Sequence, residues 1–204
     1  MNLLKIYQKL LKRFGTQNWW PMQRDFSPPE WEICVGAVLT QNTNWGNVEL
    51  ALKNMKEKGL ISRDCIKKVS EKKLAEVIRP AGYYNQKAKK LKILASFSGN
   101  LTRESLLSLW GLGPETVDSI LLYAYGKPYF VVDAYTKRIF TRLGFGNRKS
   151  YDEWRKFFES NLPRSVSLYK EFHALIVKLG KENCRKKPVC RGCPLRRECK
   201  KSGI

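Results

Sequence analysis

A single histidine, His173, stands among 204 residues. Set in the apolar segment YKEFHALIV, it offers no histidine-based catalytic triad or metal site. Acidic residues are also scarce, 18 Asp and Glu against 39 Lys and Arg for a formal charge of +21, an excess far beyond what solubility requires. Long apolar runs are missing, which argues against a bilayer span. No stretch alternates apolar and polar residues as a half-buried strand does, and there is no internal repeat or low-complexity linker. The first residues interleave Leu3, Leu4, Ile6, Leu10, Leu11 and Phe14 with Lys5, Lys9, Lys12 and Arg13. This breaks any signal-peptide core and reads as an amphipathic helix, so no export is expected.

What is there describes a folded globule, 43% apolar and 12% aromatic. Its charge calls for a polyanion, nucleic acid ahead of a membrane surface. Helical periodicity runs through 31–39, 46–59, 70–82, 85–99, 102–111 and 114–126, then through DAYTKRIFTRLGFG, YDEWRKFFESNLP and SLYKEFHALIVKLGKENC. Several of these segments stop at Gly, as helix C-termini do. The fold class is all-α, with roughly ten helices joined by short turns.

Of six cysteines, Cys34 and Cys65 lie far apart in helical contexts and read as core. The others form CRKKPVCRGCPLRRECKK, placing Cys184, Cys190, Cys193 and Cys199 in the spacing C-x5-C-x2-C-x5-C. A secreted disulfide framework fits poorly, so a reducing compartment is expected, cytoplasmic and nucleoid-associated or otherwise intracellular. Zinc sites more often join two C-x2-C knuckles; one central pair with wide flanks points instead to an iron-sulfur cluster. Eight Lys and Arg lie between and just beyond these cysteines, giving the anchored loop a cationic face for phosphates and the cluster a stapling role.

In LWGLGPETVDSI a helix ends, Gly111-Leu112-Gly113 turns, and Pro114 opens the next helix where its missing N–H costs nothing. Such a helix-hairpin-helix lets a phosphate approach backbone N–H groups at a helix start. An ordinary helix-turn-helix connection is the plain alternative. Glu115 sits in the first turn, where an acid also complements the helix dipole. Beyond it, an apolar FVV delivers Asp133 to a helix start. Asp133 reads there first as an N-cap, a placement that also suits a carboxylate to face developing positive charge, and the two roles can coexist. His173, in YKEFHALIV, reads as a hydrogen-bonded core histidine.

Together LTQNTNWGNVELAL, RPAGYYNQKAKKLKIL, the segment 109–144 and the four-cysteine loop resemble the endonuclease III superfamily of helix-hairpin-helix DNA glycosylases over nearly the whole chain. The resemblance implies two helical domains, residues 22–130 and residues 1–21 plus 131–204. Duplex DNA carrying a damaged base would lie in the cleft between them with that base flipped out, and the protein is expected to act as a monomer. It also implies a 4Fe-4S cluster on Cys184, Cys190, Cys193 and Cys199, and Asp133 as the residue assisting glycosidic cleavage. Bifunctional members carry a Schiff-base lysine two residues past the second hairpin glycine; Glu115 stands here instead, in a secondary polar role. Lys127 and Lys137 do not match that position. A monofunctional enzyme follows, most similar to 3-methyladenine DNA glycosylases of the endonuclease III type through NWWPM, QNTNW, GYYNQKA, GPETVDSILLYA and EFHALIV. That branch implies a base pocket from Trp19, Trp20, Pro21 and Trp45, Gln41 or Asn42 entering the duplex gap, and hairpin contacts at Gly111, Leu112 and Gly113. The four-cysteine loop is more typical of endonuclease III itself, and its first gap is one residue shorter than usual. Alternatives are a bifunctional lyase for oxidised pyrimidines, a uracil or thymine mismatch glycosylase, and a DNA-binding module without catalysis.

Overall fold

The structure is a computed structural model and describes residues 2–22 and 25–200. Its helices are α1 (Leu3–Phe14), α2 (Pro29–Leu39), α3 (Trp45–Glu57), α4 (Arg63–Lys68), α5 (Glu71–Val77), α6 (Tyr84–Ser96), α7 (Arg103–Leu107), α8 (Pro114–Ser119), α9 (Ala134–Arg142), α10 (Tyr151–Ser160) and α11 (Val166–Glu182). Among the described residues there is no strand, and Ser27 and Ser62 make only an isolated bridge. No described helix is long and apolar enough to cross a membrane.

Short polar residues begin most helices. Asn2, Asn44, Ser62, Ser70, Asp133, Ser150 and Ser165 each accept a hydrogen bond from a first-turn N–H, and Thr102 with Ser105 forms a capping box. Several elements depart from the sequence pattern; the segment 70–82 breaks after α5 into a 3-10 turn, Arg79–Ala81. The six-residue α4 is too short to show periodicity and is set by its Ser62 cap. The segment 114–126, periodic as one helix, changes after α8 into a π-helical stretch, Ile120–Ala124. Ile120, Leu121, Leu122 and Tyr123 are all buried, so their apolar run suits either winding.

The chain divides into two compact units, Met1–Trp19 with Lys127–Ile204, and Trp20–Gly126. In the second, every residue of Trp31–Leu39 is buried, making α2 a central helix without a polar face. In the first, Phe130 stacks on Phe158 at 4.2 Å, and Phe140 meets Phe158 edge-on at 4.7 Å. Phe172 and Tyr169 of α11 pack edge-on against Phe130 at 6.0 and 5.3 Å. These rings give α11 a rigid seat from which α9 is held.

Candidate functional site

The hairpin lies in the second unit, between α7 and α8. Gly111 has φ +80°, a backbone only glycine adopts cheaply, and its carbonyl accepts from Gln41 Nε2 at 3.2 Å. A Cβ there would stand 2.5 Å from Lys90 Cε, so the Lys90 stem uses the space a side chain would fill. Gly113 is open, with nothing within 4 Å of a Cβ position. Leu112 turns inward: its side chain is buried and its N–H donates to the Leu109 carbonyl at 3.2 Å. Its side chain therefore anchors the turn and is withdrawn from any surface contact.

A buried ion pair braces the two legs. Arg103 of α7 donates Nε to Asp118 Oδ1 at 2.7 Å and Nη2 to Oδ2 at 3.2 Å, with Asp118 fully buried. On the hairpin's rim Trp110 is 51% exposed, with Lys89 Nζ 4.7 Å from its ring centre. Glu115 is exposed on the first turn of α8.

Gln41 and Asn42 have different surroundings. Gln41 donates Nε2 to Thr116 Oγ1 at 2.9 Å as well as to Gly111, and its Oε1 accepts from Lys90 Nζ at 2.5 Å. Burial pulls the Lys90 ammonium below its usual range. Two residues back, at the C-terminal end of α2, the Leu39 carbonyl accepts from Lys87 Nζ at 2.8 Å, and Lys87 donates also to the Ala81 carbonyl at 2.7 Å. Gln41 is thus committed to the hairpin, whereas Asn42 is exposed with φ +53°. Tyr83, at the start of α6, shares both features, 66% exposed with φ +45°. A non-glycine residue in the left-handed region is uncommon, and for a bulky side chain it is strained.

The aromatic residues separate. Trp20 packs edge-on to Trp45 at 5.4 Å and against Tyr123 at 5.1 Å. Gly36 of α2 makes room for both indoles, since a Cβ there would meet Trp20 Nε1 at 3.3 Å and Trp45 Cη2 at 3.5 Å. Trp45 Nε1 donates to Glu49 at 2.9 Å, and Pro21 is half-buried. Trp19 belongs to the other unit, where its ring lies 5.4 Å from the imidazole of His173.

Asp133 caps α9 in the first unit. Its Oδ1 accepts from Thr136 N at 2.7 Å and Thr136 Oγ1 at 2.8 Å, and Oδ2 lies 3.6 Å from His173 Nε2. Burial pushes this carboxyl up, but His173 and the Thr136 bonds outweigh it, and the net shift is below its ordinary 3.8. It is held as a carboxylate. Sequence could offer His173 only as core; its approach to Asp133 depends on how α11 packs on α9.

At the other end of α9, Arg142 donates to the Arg185 and Lys186 carbonyls at 2.6 and 3.0 Å, and Arg138 to the Cys184 carbonyl at 2.9 Å. The loop they hold brings Cys184, Cys190, Cys193 and Cys199 around one small cavity of about 30 Å³. Burial and the three neighbouring thiols push the Cys193 thiol up, a repulsion that a bound cationic centre would remove. Among the described residues no group of three His, Cys, Asp or Glu side chains is placed to hold a single metal ion; the four sulfurs line one small cavity. Four soft thiolates there fit an iron-sulfur cluster.

Residues 35–164 match the family described as HhH-GPD superfamily base excision DNA repair protein. A provisionally named DNA repair glycosylase of Methanocaldococcus jannaschii is 49% identical over 97% of this chain and 95% of its own. The crystal structure of H. pylori 3-methyladenine DNA glycosylase bound to 1,N6-ethenoadenine superposes with a TM-score of 0.76 at 33% identity, covering 88% of this chain and 96% of that one. A non-covalent endonuclease III–DNA complex superposes with a TM-score of 0.82 at 22% identity over 98% and 94%. At that identity the likeness is one of fold.

Proposed function

The chain belongs to the HhH-GPD superfamily of base excision DNA repair proteins and is a DNA glycosylase of that type, and from this premise we propose that it is monofunctional. It hydrolyses the N-glycosidic bond of a flipped damaged base, an alkylated purine such as 3-methyladenine. The carrying observation is Asp133, a carboxylate kept ionised at the start of α9 with one oxygen fixed by Thr136.

A purine alkylated at N3 is cationic and leaves readily, so the enzyme's work falls on recognition and on the sugar. Trp20, Trp45 and Tyr123 supply aromatic faces to a cationic base, each worth ~0.5–2 kcal/mol when well placed. The H. pylori relative is described bound to a modified purine, which supports this choice of substrate. As the C1′–N bond breaks, its electron pair leaves with the base, and Asp133 stabilises the oxocarbenium character left on the sugar. Water then adds at C1′ and gives up its proton with Asp133 as base. The hairpin backbone at Gly111 and Gly113 and the basic cysteine loop take phosphates, while Asn42 and Tyr83 fill the place of the flipped nucleotide. Gln41 supports them from the hairpin side.

Glu115 has no amine and cannot form the imine that leads to strand cleavage. Lys90 is the hairpin's neighbouring amine, and it is hydrogen-bonded to Gln41. Cys184, Cys190, Cys193 and Cys199 would hold a 4Fe-4S cluster, which when bound supplies a rigid staple for the loop. Duplexes bearing single defined lesions, with released bases scored by mass and parallel borohydride trapping, test this function. Free alkylated purine without a covalent adduct is expected. An adduct that disappears in Lys90→Met would make the enzyme a lyase, and silence across the lesion panel would leave a DNA-binding module.

A further inference from the structure

A carboxylate accepts about two hydrogen bonds at each oxygen. At Asp133 those of Oδ1 are filled, by Thr136 N at 2.7 Å and Thr136 Oγ1 at 2.8 Å. The chemistry is thus left to Oδ2, and what stands next to Oδ2 is Nε2 of His173 at 3.6 Å. That separation is within ion-pair range and longer than a formed hydrogen bond, as catalytic contacts often are before substrate closes the site. His173 is 4% exposed, and the Trp19 ring covers it at 5.4 Å with a 34° tilt. Three residues from separate parts of the sequence therefore lie in series: Trp19 on His173, His173 on Asp133.

Resting on the role of Asp133 proposed above, we infer that His173 is a positioning residue for base removal. Its Nε2–H holds Oδ2 in one orientation and leaves that oxygen's other lone pair for the sugar or the attacking water. Trp19, in turn, is the cover that keeps the imidazole out of water. A purely structural histidine would have no need to face the one free oxygen of the carboxylate.

His173 is the only histidine in the chain, so its imidazole nitrogens can be followed by NMR without assignment. In the intact protein at neutral pH, Asp133→Asn should displace the Nε2 resonance clearly, with no substrate present. In single-turnover base release, His173→Gln should slow the chemical step about tenfold, the worth of one lost hydrogen bond, with duplex affinity kept. Placed in the Asp133→Asn background it should cause no further slowing, because its effect passes through that carboxylate. His173→Asn repeats the measurement should the glutamine variant fold poorly. The inference is overturned if the Nε2 resonance ignores Asp133→Asn, if His173→Gln turns over at the parent rate, or if it slows both backgrounds equally. A full rate in Asp133→Asn itself would overturn the proposed function too; a slow Asp133→Asn beside a fast His173→Gln removes only the histidine's part.

Discussion

Two ionisable side chains carry most of what can be tested one residue at a time. Asp133 titrates below its ordinary 3.8 because His173 and Thr136 outweigh the cost of burial. A group with a depressed folded pKa stabilises the fold above its unfolded pKa and loses that contribution as pH falls through the folded one. Urea melts should therefore show Asp133→Asn less stable than the parent at neutral pH, with the difference closing as pH drops below 3.8. Lys87 is shifted in the same direction, in a more alkaline window. Burial, aided by Lys90, lowers its ammonium from 10.5 to about 8, so between these values the unfolded chain binds more protons and stability rises with pH. That rise should be smaller in Lys87→Met, measured by the same melts. Only one of the two announced itself in the sequence. Asp133 was legible as a cap and, by resemblance, as the carboxylate assisting glycosidic cleavage, but a lysine in NQKAKK looks like any solvated charge until its carbonyl partners Leu39 and Ala81 are seen.

At the scale of elements, the hairpin is held by groups that the motif itself does not contain. The Arg103–Asp118 pair joins α7 to α8 in a buried, two-bonded arrangement. Removing one partner takes this ion pair from a buried charge, so Arg103→Met should cost roughly 3–5 kcal/mol and weaken duplex binding with it. Replacing Asp118 by Leu in the same chain should recover much of that stability in denaturant melts. Helix positions and the turn at Gly111 were readable, because caps, glycines and periodicity are local signals. The clamp of Lys90, Gln41 and Thr116 was not, since its members stand 49 and 75 residues apart in the chain. The split between Trp19 and Trp20 was hidden for a related reason: adjacent residues join different units, and no composition or spacing records that boundary. Likewise the π-helical stretch Ile120–Ala124 left no mark in a run of wholly apolar side chains.

For the whole molecule, a charge of +21 requires duplex affinity to fall steeply as salt rises, through counterion release. Lys89→Ala at the hairpin rim should reduce the slope of log affinity against log salt by about one. The four cysteines lining one cavity should give a protein with absorbance near ~400 nm and iron bound with sulfide, and Cys190→Ala should lose the colour and loosen the loop in proteolysis. A zinc-loaded, colourless protein would remove the cluster.

The most direct measurement places the purified enzyme on a duplex with one alkylated purine and follows base and strand together. Free purine, an unbroken abasic strand, no borohydride adduct, and loss of release in Asp133→Asn of about a hundredfold or more are the results expected of hydrolysis aided by Asp133. Undiminished release in Asp133→Asn, or a strand cut through a trapped amine, would contradict it.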